Sequence, residues 1–179
     1  MSTARQFRTH YTYKDYCQWE GDWELWYGTA VAMVPSPFAP HERFISSIIR
    51  QLWDQLDAGN CQCEVYTNLD WVVTDDTVIC PDVMIVCGDQ PAEHLKAPPS
   101  FVVEVLSPST KSRDRNEKFT LYEENGVKYY LMADLESKSL DVYELKTSRY
   151  EKIAEILNHE FELHSGCTIT IDLGRLVWT

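Results

Sequence analysis

The sequence has no long apolar run. A bilayer-spanning helix needs about 20 consecutive apolar residues, and this 179-residue chain never approaches that length, so no membrane span is expected. The opening MSTARQFRTH lacks an apolar h-region. No secretory leader is therefore expected there, and the expected location is the cytoplasm. Glycine is sparse, at 7 residues, and there are no internal repeats, low-complexity tracts or flexible Gly/Ser linkers. One domain over 1–179 is expected, with a 44% hydrophobic content to supply its core. Positive charge is scarce as well: 16 Lys and Arg stand against 28 Asp and Glu, for a net charge of −12. Phosphate binding is largely electrostatic, so this balance counts against unaided binding of a polyanion. A local cluster of bases, or a metal ion at an acidic centre, would offset it.

A second cysteine knuckle is also missing. The six cysteines lie at 17, 61, 63, 80, 87 and 167, and Cys61-Gln-Cys63 has no matching pair elsewhere. Structural zinc takes four ligands. Neither a zinc site nor a Cys61–Cys63 disulfide is expected. The cysteines read as small buried hydrophobes in a reducing compartment.

The hydrophobic pattern predicts an α+β fold, a mixed β-sheet flanked by helices. Thr12 and Asp15 suggest the cap of a short helix reaching Trp19. Trp23 to Gly28 reads as a strand and turn, with Ala30 to Val34 returning. Pro35-Ser36-Pro37 breaks the chain, and a helix starts near Ala39-Pro40. Its apolar residues Phe44, Ile45, Ile48, Ile49, Leu52, Trp53 and Leu56 recur at steps of three and four, giving one face. Strands are expected over Cys63 to Thr67, at Val78-Ile79, and over Val83 to Cys87, Phe101 to Leu106, Tyr129 to Ala133, Ser139 to Leu145 and Thr168 to Ile171. A helix is expected from Arg113 to Glu124, with Gly126 after its end.

Three residues in the middle of the chain suggest chemistry. Glu104 interrupts an apolar strand, where an unpaired charge is costly to bury. It must meet a cation, a donor network or water. Pro81-Asp82 leads directly into another apolar run. On its own, an Asp after Pro is turn chemistry. If the two runs pair at the usual spacing of about 4.8 Å, both carboxylates can converge on one hard cation. Mg²⁺ or Mn²⁺ fits such a site, since Mg²⁺ keeps waters and needs one or two protein carboxylates. Lys118 lies four residues after Asp114. It either pairs with Asp114 on a solvated helix face or points at the acidic centre. The loop carrying Ser107, Ser109, Thr110, Lys111 and Arg113 combines hydroxyls and bases. It reads either as a contact for phosphate oxygens or as an ordinary helix cap. With Arg115 it is the one local positive cluster.

At these residues the chain resembles the Uma-type family of endonucleases within the restriction-endonuclease-like PD-(D/E)XK superfamily. Pro81-Asp82 is followed 22 positions later by Glu104-Val105-Leu106, with Leu106 in the slot where the superfamily has lysine. The resemblance implies that the lysine has moved to the following helix, where Lys118 matches. Trp23-Glu24-Leu25-Trp26-Tyr27-Gly28 is similar to the family's early strand, and Ser36-Pro37 followed by His41 to its helix entry. The fold implied is a restriction-endonuclease-like mixed sheet flanked by helices.

The implied activity is metal-dependent hydrolysis of phosphodiester bonds, with DNA as the expected nucleic-acid partner. Asp82, Glu104 and Lys118 would be catalytic, with Mg²⁺ or Mn²⁺ on Asp82 and Glu104. Glu24, His41 and Glu42 are candidates for a further group, and the sequence does not choose among them. Cutting both strands of a duplex needs two centres, so a homodimer is expected. Two other readings share these residues: a non-catalytic interaction module that kept the fold, and an RNA-processing nuclease.

Overall fold

A computed structural model describes residues 9–33, 38–107, 111–154 and 159–179. The expected break at Pro35-Ser36-Pro37, Val34, and the loop residues Ser109 and Thr110 lie outside these. The chain runs α1 (Tyr13–Tyr16), β1 (Trp23–Trp26), β2 (Thr29–Ala32), α2 (Ala39–Ala58), β3 (Cys63–Tyr66), β4 (Trp71–Thr74), β5 (Thr77–Ile79), β6 (Val83–Cys87) and β7 (Phe101–Leu106). There follow α3 (Lys111–Arg113), a π-helical turn (Asp114–Lys118), α4 (Phe119–Glu124), β8 (Tyr129–Asp134), β9 (Ser139–Lys146), β10 (Arg149–Lys152), β11 (Phe161–Glu162) and β12 (Thr168–Ile169).

The expected mixed sheet is there. Its six strands run in the order β10-β9-β8-β7-β6-β3, with β7 and β8 parallel and the other neighbours antiparallel. A four-stranded sheet, β2-β1-β5-β4, lies alongside. Side chains alternate across a strand, so the central strands feed two cores. Val83, Ile85, Phe101, Val103 and Val105 pack with Phe44, Ile48, Leu52 and Leu56 of α2. Met84, Val86, Val102 and Leu106 pack instead with Leu121 and Tyr122 of α4 and with Trp71 and Ile79 of the smaller sheet. By that alternation Glu104 shares the α4 face with Val102 and Leu106. This parity aims the carboxylate at the helix that carries Lys118.

The α2 periodicity was legible because its apolar face is buried as the spacing requires. Its polar Ser47 and Gln51 are buried as well. Gln51 accepts from the Asp172 amide at 3.0 Å, and Ser47 accepts from the Val177 amide at 3.0 Å. These bonds fasten the C-terminal segment, and Trp178 packs against Phe44 with ring centroids 4.9 Å apart. Gly126 follows α4 at φ +81°, a left-handed conformation that glycine adopts without penalty.

The cysteine expectation needs correction. Cys61 and Cys63 do not pair with each other, as expected, but neither is an isolated thiol. Cys61 is bonded to Cys167, and Cys63 to Cys87, its direct cross-strand neighbour on β6. Spacing in sequence gave no hint, because Cys61 and Cys167 are 106 positions apart and meet only once the C-terminal segment docks on α2. Closing so long a loop restricts the unfolded chain. Cys167→Ser is therefore expected to cost about 3–5 kcal/mol in oxidised protein and almost nothing in reduced protein. Urea unfolding of both forms with and without thiol checks this.

Candidate active site

Beta strands β6 and β7 pair with Val83 opposite Val103. Asp82 and Glu104 lie one position beyond that pair at the same end of the sheet, and both line one cavity. The Asp82 Oδ2 accepts from the Val105 amide at 2.8 Å. Glu104 is 3% exposed, and its Oε1 accepts from Lys118 Nζ at 2.8 Å and from the Tyr122 hydroxyl at 2.5 Å. Lys118 also lies 3.2 Å from Glu24 Oε1. Glu24, on β1, is itself buried and accepts from the Cys80 amide at 2.9 Å.

The solvated-face alternative for Lys118 is thus corrected: the ammonium is buried among carboxylates. The local cause is the π turn over Asp114–Lys118, which interrupts the expected helix and leaves both of its end residues buried. An extra residue per turn re-aims side chains, and such turns are frequent at functional sites. The Tyr130 hydroxyl braces this turn by donating to the Asp114 carbonyl at 3.0 Å.

A cavity of about 590 Å³ opens onto this cluster. Its walls carry seven carboxylates, from Asp22, Glu24, Glu42, Asp70, Asp82, Glu104 and Asp114, against the cations Lys118 and Arg113 and the imidazole of His41. The electrostatics follow from that excess. Burial pushes Glu104 well above the usual carboxylate range; Lys118 opposes this, while Asp82 and Asp114 add to it. Burial works against the charge on Lys118, but Glu104, Glu24, Asp114 and Asp82 together hold it well above its ordinary value, so it stays an ammonium. Asp82 is lowered: burial would raise it, but the His41 hydrogen bond and the Lys118 charge outweigh that. More negative charge is gathered here than one lysine neutralises.

His41, on the first turn of α2, sits with Nε2 3.5 Å from Asp82 Oδ2 and Nδ1 3.2 Å from Glu42 Oε1. Its hydrogen bond to Asp82 raises it above the ordinary histidine value against the opposing effect of burial. A raised folded-state value means that the His41 ion pair stabilises the fold below about pH 6.5 and is lost as pH climbs through the raised value. Asp82, being lowered, contributes above its unfolded value and is lost only in acid. Native stability is expected to decline from about pH 6.5 upward, and His41→Gln to flatten that decline. Urea midpoints measured from acid to alkaline pH check it.

Of the loop set, Ser107 and Arg113 line the cavity. Lys111 does not: its ammonium is held 2.7 Å from Asp134 Oδ2. Arg115 is likewise bound to Asp141, at 3.1 Å. The local positive cluster is therefore largely neutralised by its own neighbours. Among the described residues, no three His, Cys, Asp or Glu side chains close around one point to hold a metal ion. The oxygen donors of Asp82 and Glu104 still suit Mg²⁺, which completes its shell with water. Sequence reasoning missed Tyr122 as a partner of Glu104, because a tyrosine on an amphipathic helix reads as core. It also missed Asp70, for which no signal existed.

A model of the Uma2 family, described as "Putative restriction endonuclease", matches residues 12–171. Two uncharacterised proteins of Synechocystis are similar. One is 36% identical over 93 residues, covering 50% of this chain and 49% of that protein. The other is 25% identical over 132 residues, covering 70% of this chain and 73% of that protein. The chain thus spans about half the length of the first relative. A crystal structure described as a "putative nuclease belonging to DUF820" from Anabaena variabilis superimposes with a TM-score of 0.73 at 14% identity, covering 94% of this chain and 98% of that one. At that identity the likeness shows a common fold, which is restriction-endonuclease-like.

Proposed function

The chain belongs to the Uma2 family, and from that membership we propose that it is a metal-dependent endonuclease that hydrolyses phosphodiester bonds in DNA. The observation that carries the reading is the convergence of Asp82, Glu104 and Lys118 on one acidic cavity. Asp82 and Glu104 would hold Mg²⁺ or Mn²⁺. Bound there, the ion would supply Lewis acidity towards the phosphate and a more acidic water. Lys118 keeps its charge, so it orients the water or a phosphate oxygen as a cation and does not abstract a proton. Glu24 helps Glu104 hold the lysine, and Tyr122 fixes the Glu104 carboxylate. His41 is placed by Asp82 and Glu42 at the cavity wall, where its imidazole would be able to donate a proton to a leaving oxygen. The reading includes a homodimer in the cytoplasm, with the two cystines formed there only on oxidation. No helix among the described residues is long and apolar enough to cross a membrane.

The test is calorimetric titration with Mn²⁺. The native chain is expected to take up the ion, and Asp82→Ala to bind it at least tenfold more weakly, as expected when one of two protein ligands is lost. A native protein that takes up none would remove the metal from the proposal and leave the non-catalytic module.

A further inference from the structure

Beside the acidic cavity lies a second one, of about 300 Å³, lined by Tyr16, Cys17, Trp19, Trp23, Asp70 and His94 together with Gly21. Four of these residues, Tyr16, Gly21, Trp23 and Asp70, belong to the walls of both cavities. The smaller cleft is therefore a continuation of the larger one. Its lining is unlike that of the catalytic end. Trp19 stands at the centre of an aromatic group, with ring centroids 5.1 Å from Tyr11, 5.5 Å from Tyr16 and 5.8 Å from Trp23, all edge to face. Asp70 is held by the Tyr16 hydroxyl, which donates to its Oδ2 at 2.9 Å and also to the Trp23 carbonyl at 3.0 Å. Among the described residues no donor reaches the other Asp70 oxygen.

Resting on the nuclease reading above, we infer that this cleft receives one unpaired base of a nucleic-acid strand whose backbone passes the Glu104–Lys118 centre. Four points carry the inference. The cleft has no lysine or arginine among its lining residues, its one imidazole, His94, stands 3.8 Å from Asp70 Oδ2, and Asp70 repels a phosphate, so the backbone does not belong in it. A carboxylate does accept from the exocyclic amino group of a base. Aromatic side chains give bases a stacking surface that tolerates any sequence. Finally, a chain of net charge −12 gains little from long phosphate contacts. Stacking is the affinity such a protein can supply. A base paired inside a duplex cannot reach a cleft of this kind without leaving the stack, so single-stranded or locally unpaired substrate is selected over intact duplex.

Cys17 offers a probe on the unaltered protein, because it is free, exposed and part of the cleft lining, while the other free thiol, Cys80, is buried. The experiment measures iodoacetamide alkylation of Cys17 with a saturating single-stranded oligodeoxynucleotide containing 2-aminopurine, and with the same strand fully paired. The single strand is expected to slow alkylation severalfold and to lose 2-aminopurine emission on stacking; the duplex is expected to do neither. Trp19→Ala is expected to weaken single-strand binding about tenfold. Should that variant not fold, thiol protection on the native chain still decides. Equal protection by duplex and single strand, or a bound single strand that leaves Cys17 fully reactive, overturns the inference. Neither readout depends on cleavage. A protected thiol with an intact oligonucleotide would therefore support the cleft while counting against the nuclease reading.

Discussion

Lys118→Met is expected to lose nuclease turnover by about a hundredfold to a thousandfold, the usual effect of removing one preorganised electrostatic group, and about 3–5 kcal/mol of folding stability with it. The second effect follows from burial. Lys118 is 7% exposed and stands within 3.2 Å of Glu24 and 2.8 Å of Glu104. Methionine keeps the aliphatic stem but leaves two buried carboxylates facing each other without a cation. Removing the one cation shared by two buried carboxylates is far more costly than removing it together with one of them, since Glu24 and Glu104 both rely on Lys118. The double variant Lys118→Met, Glu104→Gln should accordingly recover much of the lost stability while remaining inactive. Urea unfolding of the two single variants and the double variant, beside turnover, makes the comparison. A Lys118→Met protein as stable as the native chain would show that the lysine does not neutralise these carboxylates.

Glu104→Gln is expected to separate stability from activity in the opposite direction. Burial raises Glu104, with Asp82 and Asp114 adding to the shift against Lys118. A carboxyl group raised in the folded state opposes folding in its ionised form, at pH values above its unfolded value. A neutral amide of the same shape removes that cost and keeps an oxygen for Tyr122 and Lys118. Near neutral pH the variant should melt at a higher temperature than the native chain, and the gain should vanish as the pH falls towards about 4. Turnover should fall about a hundredfold to a thousandfold, because the carboxylate proposed to hold the ion has become neutral. Such an exchange of stability for function is expected where a site gathers like charges. A less stable Glu104→Gln would mean that the carboxylate works as a structural partner of Lys118, with no strain stored in the centre.

The face of the fold that carries Glu104 was legible from period-two alternation. Val102, Glu104 and Leu106 had to share a face, and the apolar run after Pro81-Asp82 had to be buried beside it. What alternation cannot carry is a break in helical period. The π turn at Asp114–Lys118 has no glycine or proline to announce it. Spacing by four therefore suggested a solvated ion pair where the structure buries both side chains. Pairing of charges across the fold was equally hidden: Lys111 and Arg115 look like a basic cluster until Asp134 and Asp141 come up beside them from β8 and β9. The same holds for the cysteines and for the aromatic cleft, whose Asp70 and His94 join α1 through loops that carry no periodic signal. Glu24, His41 and Glu42 were indistinguishable in sequence. Geometry separates them into a buried anchor for Lys118, a partner of Asp82, and an exposed carboxylate on the histidine.

The most direct measurement is cleavage of DNA by the native chain and by Glu104→Gln, each in Mg²⁺ and in excess chelator. Cleavage by the native chain that requires Mg²⁺, stops on chelation and falls at least a hundredfold in the variant is the expected result. Cleavage that survives the chelator, cleavage equal in the two proteins, or intact DNA under every condition would contradict a metal-dependent nuclease centred on Asp82, Glu104 and Lys118.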